Sequence, residues 1–163
     1  MVMPSLFKTG GLFLLLQIGV MFSTGADSLI IANNLGVAQV AAFSLVQRLF
    51  QFSSQPMSIM NAPLWGAYSD ADARGDKYFI KRTLFISLKN TATFALIAVT
   101  ALVVFGGGII SVWSKNEISI PISILIAFGV WSILEMIGNA LGVFLNGCGI
   151  VREQVVTVLI YSF

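Results

Sequence analysis

The sequence has no histidine, one cysteine and very little charge. The absence of histidine removes the most common general base and metal ligand, and a lone thiol at Cys148 excludes an internal disulfide. Only 10% of the 163 residues are charged and 57% are hydrophobic, whereas about a quarter of a soluble domain is charged. A lipid bilayer accounts for this composition. The net charge of +2 is too small to suggest a nucleic-acid partner.

Catalytic patterns are also absent from the sequence. Neither a Ser–His pair nor a pair of membrane-embedded aspartates is present, which argues against intramembrane proteolysis. The glycines at 106–108 and those beside Cys148 lack the residues that follow a phosphate-binding loop. We therefore expect no enzyme activity, no cofactor and no bound metal.

Long apolar runs dominate what is present. They predict four transmembrane helices at about residues 10–32, 37–64, 84–105 and 120–145, followed by the start of a fifth at 155–163. The predicted fold class is an all-α, polytopic transmembrane helix bundle that forms one domain over residues 1–163. The last run is too short to span a bilayer, so we expect the chain to be a fragment of a longer protein.

Turn and cap residues define the predicted boundaries. Pro56 and Pro63 are expected to kink or end the second helix, and the glycines at 106–108 are expected to end the third. Asp76 follows Gly75 and is expected to cap a short helix that leads into the third span.

Basic residues set the expected orientation. With the N-terminus in the cytoplasm, the outside loops hold only Lys115, and all other cations near helix ends lie inside. This bias fits the positive-inside rule, so we expect a multi-pass membrane protein with a cytoplasmic N-terminus.

The second predicted helix carries a run of polar residues at helical spacing, which we call the polar stripe. Its members recur every three or four positions and so share one helical face: Ser44, Gln47, Arg48, Gln51, Ser54, Gln55, Ser58 and Asn61. A stripe of this length is more than two packed helices need, and it suits the wall of a hydrated cavity. We take Gln47, Arg48, Gln51 and Gln55, with Gln17 of the first helix, as candidate cavity residues.

Three ionisable residues lie well inside predicted spans: Asp27, Arg48 and Glu135. Each costs about 2.5–3.5 kcal/mol at a helix centre, and such residues usually face a bundle interior or water. We expect Asp27 to pair with Arg48 in at least one conformation. Asp27 and Glu135 are candidates for coupling to an ion gradient, and interhelical hydrogen bonding is the simpler alternative for Glu135.

The fourth predicted helix contains a GxxxG pair, Gly138 and Gly142, with Glu135 and Asn146 on the same face. Small residues allow membrane helices to approach closely. We expect this face to be a packing surface.

Several segments resemble the polysaccharide flippases of the multidrug/oligosaccharidyl-lipid/polysaccharide exporter superfamily. They are GLFLLLQ (11–17), DSLIIA (27–32), LG (35–36), VQRLF (46–50), APLWGAYSDA (62–71), ARGD (73–76), GNA (138–140) and FLNGCG (144–149). The resemblance covers nearly the whole chain, and the loop PLWGAYSDADARGD is its most specific part.

The resemblance implies a transporter of the bacterial inner membrane with about twelve helices in two lobes, of which this chain holds part of the second. The missing N-terminal lobe, or a partner chain, would then complete it. The implied substrate is a polyprenyl-pyrophosphate-linked oligosaccharide, which is flipped to the outer leaflet for surface polysaccharide and lipopolysaccharide biosynthesis. Arg48 suits its anionic diphosphate, and glutamines suit its saccharide.

Two alternatives stay open. A multidrug or cation exporter of the same superfamily would favour an acidic, aromatic cavity, and Arg48 argues against it. A non-transporting membrane scaffold subunit would need GxxxG contacts but no polar stripe.

Overall fold

The computed structural model describes residues 36–115 and 118–150, together with residues 11, 14, 18 and 33. The helices in these ranges are α1 (Val37–Asn61), α2 (Leu64–Ala73), α3 (Lys77–Trp113) and α4 (Ile122–Gly147). All regular secondary structure in the described residues is helical, which confirms the all-α class. The predicted helices at 10–32 and 155–163 lie outside the described residues, apart from residues 11, 14 and 18.

The chain divides into two compact units. One is Ala41–Gly149, and it contains α2, α3, α4 and most of α1. The other joins Met1–Val40 to Ile150–Phe163, and few of its residues are described. All contacts considered below lie within Ala41–Gly149.

The connection between α1 and α3 is built by residues with special backbone properties. Helix α1 continues through Pro56 and ends at Asn61, just before Pro63. Helix α2 ends in a Schellman motif: Gly75 has φ +68°, and the Asp76 N–H donates to the Ala71 carbonyl at 2.9 Å. The carboxylate of Asp76 then accepts from the Phe79 N–H at 3.0 Å. The predicted cap is confirmed, although the helix it starts is α3 itself.

Helix α3 is longer than the sequence predicted. It has 37 residues and continues through Gly106, Gly107 and Gly108 to Trp113. Gly106 is buried, and a methyl group there would lie 3.4 Å from Leu49 Cδ2 and 3.5 Å from Leu125 Cδ2. In an apolar environment no water replaces a broken backbone hydrogen bond, so glycine does not end the helix there. It allows the neighbouring helices to approach instead.

The core lies between α1, α3 and α4. Its buried members are Val46, Leu49 and Phe50 of α1, Val99 and Ile110 of α3, and Leu125 of α4. Phe128 of α4 stacks on Phe50 with ring centroids 6.1 Å apart, and it packs edge-to-face with Phe43 with ring centroids 5.1 Å apart. This cluster joins one face of each long helix.

Two helices in the described part of the chain are long and apolar enough to cross a membrane. They are α3 and α4, with mean hydropathies of 2.4 and 1.8 over 18 residues. Only 22% and 28% of those windows are buried, whereas the core helix of a soluble protein is mostly buried. Both helices are therefore compatible with a membrane protein. Helix α1 is not one of these candidate spans, because the polar stripe lowers its mean hydropathy.

Candidate functional site

Helix α1 presents three different faces. Val46, Leu49 and Phe50 enter the core, and Phe52 and Ile59 are each 69% exposed on an apolar face. The polar stripe occupies the arc between them, about 140° wide at ~100° per residue. The structure thus keeps the polar residues together on one face, as the spacing predicted.

The cavity candidates on α1 lie mostly at the surface of the described structure. Arg48, Gln51 and Gln55 are exposed, and Gln47 is half-buried beside the core. Arg48 forms no ion pair or hydrogen bond with another described residue. Because it lies seven residues before Gln55, it is about 10 Å away along the axis on nearly the same face.

A small open pocket brings the stripe to Glu135. It has a volume of about 120 Å³ and lies between α1 and α4. Its lining residues are Ser54, Gln55, Met57, Ser58, Glu135, Met136 and Asn139. Met57 and Met136 are buried, and the polar groups lie around them. Gln55 and Glu135, selected from sequence for different reasons, therefore share one site.

The chemistry of this pocket is that of a hydrogen-bonding site with one carboxylate. Two hydroxyls, two carboxamides and the Glu135 carboxyl line it. Glu135 has no hydrogen bond or ion pair to another described residue. In a membrane-spanning helix, a charged glutamate that faces hydrocarbon costs about 2.5–3.5 kcal/mol, so contact with water, a ligand or further protein is favoured there. Arg48 lies about two turns of α1 before Gln55. The polar stripe and its pocket therefore carry one positive and one negative group at different positions along the helix axis.

Asn61, the last member of the polar stripe, has a structural role. It is 3% exposed. Its amide donates to Thr91 Oγ1 at 3.2 Å, and its Oδ1 accepts from Ser87 Oγ at 3.0 Å. The end of α1 is thus tied to α3, and the free polar stripe ends at Ser58.

The expected GxxxG packing is not formed within the described residues. Methyl groups at Gly138 and Gly142 would meet nothing within 4 Å. The close approaches occur at Gly129, where a methyl would lie 2.7 Å from Val99 Cγ1, and at Gly147, where it would lie 2.6 Å from Tyr68 Cβ. The reason is the register of α4: its buried face runs through Leu125, Gly129, Ser132 and Met136, and the GxxxG pair points away from it.

The contact between α2 and the end of α4 was not anticipated from the sequence. Tyr68 is fully buried against Phe144, with ring centroids 5.5 Å apart. Tyr68 Oη and Asn146 Oδ1 are buried without a hydrogen-bond partner among the described residues. Burial raises the pKa of the Tyr68 hydroxyl, with a smaller contribution from Cys148. The only signal in the sequence was Gly147, which allows the ring to approach.

The two remaining candidates lie outside the described residues. These are Gln17 and Asp27, so the Asp27–Arg48 pair stays a prediction.

No family model, no curated protein and no solved structure matches this chain. The resemblance to polysaccharide flippases therefore stays a prediction too.

Proposed function

We propose that this chain belongs to an integral membrane transporter that flips polyprenyl-pyrophosphate-linked oligosaccharide across the bacterial inner membrane. The substrate would serve surface polysaccharide biosynthesis, and the chain would work with a second lobe from another segment or chain. The observation that carries the proposal is the exposed polar face of α1, which opens into the pocket shared with Glu135.

Free energy supports a cavity rather than a lipid-facing surface. Arg48 and Glu135 have no partners among the described residues, and each would cost about 2.5–3.5 kcal/mol in hydrocarbon. Gln51 and Gln55 add polar surface between them. A water-filled translocation path removes this cost, and a scaffold subunit has no need for one.

The arrangement also fits the parts of the proposed substrate. The lipid tail stays in the bilayer, where the exposed apolar faces of α3 and α4 are compatible with it. The diphosphate is attracted by the Arg48 guanidinium. Serine and glutamine side chains supply both donors and acceptors for sugar hydroxyls. Rocking of two lobes would open the cavity to each side in turn.

Glu135 is the proposed site of ion coupling. A single carboxyl among hydroxyls and carboxamides is suited to binding a proton or Na⁺, so it would couple transport to an ion gradient. The same carboxylate is the one observation that favours a cation exporter. Arg48 distinguishes the two functions, because a cationic drug would be repelled by it.

The test is complementation of a strain that lacks its own saccharide flippase, with the chain expressed from its complete gene. We expect the wild type to restore surface polysaccharide and Arg48→Ala to fail at equal membrane levels. Lys115→Ala, a cation in a loop, is the matched control and should rescue fully. Rescue by Arg48→Ala would remove its cavity role. Failure of the wild type, with resistance to cationic dyes, would favour the exporter.

A further inference from the structure

The first three and a half turns of α3 hold an unusual concentration of positive charge. Lys77, Lys81, Arg82 and Lys89 are all exposed, and none forms an ion pair with another described residue. No aspartate or glutamate occurs from residue 77 to residue 116. The carboxylates at this end belong to α2 and its turn, where Asp76 is engaged as the cap of α3. Within the described residues, these cations have no ion-pair partner and their charged groups are open to a negatively charged ligand.

Their spacing places three of them on one face with two aromatic rings. Tyr78, Lys81, Arg82, Phe85 and Lys89, which we call the basic–aromatic face, are linked by steps of three and four residues. At ~100° per residue they fall within an arc of about 100°. Tyr78 is 74% exposed and Phe85 is 69% exposed. Ser87 and Thr91, by contrast, turn inwards to Asn61.

The length of α3 indicates where this face lies. Its 37 residues extend about 55 Å, whereas a bilayer with its headgroups is about 40–45 Å thick. The segment 94–113 has no charge, and its 20 residues match the ~30 Å hydrocarbon core. The excess length is therefore at the basic end. Because α3 continues through its glycines to Trp113, residues 94–113 fill the hydrocarbon core. Lys89 then lies outside the hydrocarbon core, at the level of the lipid phosphates.

We propose that the basic–aromatic face binds anionic phospholipid headgroups of the leaflet on that side of the membrane. The cations supply charge complementary to lipid phosphate, and each cation near an anionic surface contributes about 1 kcal/mol. Phe85 and Tyr78 contact the boundary between headgroup and acyl chain, where aromatic rings are favoured. Exposed Leu96 and Ile97 continue the surface along the acyl chains. This site rests on α3 as a membrane helix and is independent of transport.

The experiment measures lipid selectivity directly. The full chain is placed in phosphatidylcholine membranes that contain spin-labelled phosphatidylglycerol or spin-labelled phosphatidylcholine. The immobilised fraction of each label gives their relative affinity. We expect a several-fold preference for phosphatidylglycerol that weakens with added salt, because screening acts on surface charges. The triple variant Lys81→Gln/Arg82→Gln/Lys89→Gln should reduce the preference to near unity.

Matched variants make the result specific. Lys115→Gln removes one cation at the other end of α3 and should keep the preference, and so should the charge-conserving Lys81→Arg. Arg82→Gln alone should give an intermediate value, which covers the case that the triple variant does not fold. An unchanged preference in the folded triple variant would overturn the proposal, as would an equal loss in Lys115→Gln. Immobilisation of a labelled polyprenyl diphosphate but not of phosphatidylglycerol would also overturn it.

Discussion

The side-chain amide of Asn61 donates a hydrogen bond to Thr91 Oγ1 at 3.2 Å, and this bond joins the end of α1 to the interior of α3. The same Asn61 accepts from Ser87 at 3.0 Å. All three residues are buried, so water does not compete for these bonds. The polar stripe thus has two parts. Asn61 at its end anchors α1 to α3, and the residues before it form a polar face without hydrogen bonds to another described helix.

Replacing Asn61 by leucine should destabilise the fold. The change removes two interhelical hydrogen bonds, which we expect to cost about 1–2 kcal/mol in total. Unfolding by denaturant in mixed micelles measures the loss. Ser54→Ala is the matched control. Among the described residues, Ser54 Oγ donates to the Gln51 carbonyl of its own helix at 2.9 Å and makes no bond between helices, so the change should stay within about 0.5 kcal/mol. An Asn61→Leu protein as stable as the wild type would show that the network contributes nothing.

Gly147→Ala and Gly138→Ala should have opposite effects. At Gly147 the added methyl would lie 2.6 Å from Tyr68 Cβ and 2.9 Å from the Trp65 carbonyl oxygen, so α2 must move. Such overpacking typically costs about 1–3 kcal/mol. At Gly138 the methyl has open space, and alanine favours the helix by up to about 1 kcal/mol.

Thermal unfolding of both glycine variants in the same detergent gives the comparison. If Gly138→Ala proves as harmful as Gly147→Ala, another helix packs on the GxxxG face. The sequence-based expectation for that face would then be correct for a partner outside the described residues.

The Cys148 thiol should react slowly at neutral pH. Burial raises its pKa, and the nearby Asp72 carboxylate raises it further, so the reactive thiolate is scarce. Alkylation by a maleimide should accelerate as the pH rises above the ordinary thiol pKa. Asp72→Asn should increase the rate at a fixed alkaline pH, and Asp70→Asn should not. An equal rate in all three proteins would contradict the role of Asp72.

The same shift predicts how Cys148 affects stability against pH. Its pKa is higher in the folded than in the unfolded chain, so the folded state favours the neutral thiol. The contribution to stability is complete below the unfolded pKa and is lost as the pH rises through the folded value. Cys148→Ser should reduce this alkaline loss, which denaturant unfolding at neutral and alkaline pH would reveal.

The two ends of α3 should lie on opposite sides of the membrane, with α2 in the cytoplasm. In a Cys148→Ser background, Ser119→Cys should react with a membrane-impermeant maleimide in intact cells. Asp70→Cys should react only after permeabilisation. Both positions are exposed, so access depends on the membrane. The reverse pattern would invert the predicted orientation, and labelling of both in intact cells would exclude a crossing by α3.

The amino-acid sequence alone predicted the helical class, the Asp76 cap and the single polar face of α1. These features depend on local rules: side-chain period, cap chemistry and the cost of charge in an apolar solvent. It also placed Arg48, Gln51 and Gln55 on one polar face as cavity candidates, and helical spacing puts this face opposite the core residues Val46 and Phe50. Their role in a cavity stays a prediction.

Only the tertiary structure decided which residues meet. Gln55 and Glu135 are 80 positions apart along the chain, and no spacing rule places them in one pocket. Gly106 lies inside a helix and Gly147 rather than Gly138 contacts a neighbour, because the register of packed helices determines which glycine is needed. Asn61 became an anchor for the same reason: Ser87 and Thr91 of α3 lie opposite it. Local chemistry is encoded by each segment, but the partners of each side chain follow from how three helices pack against one another.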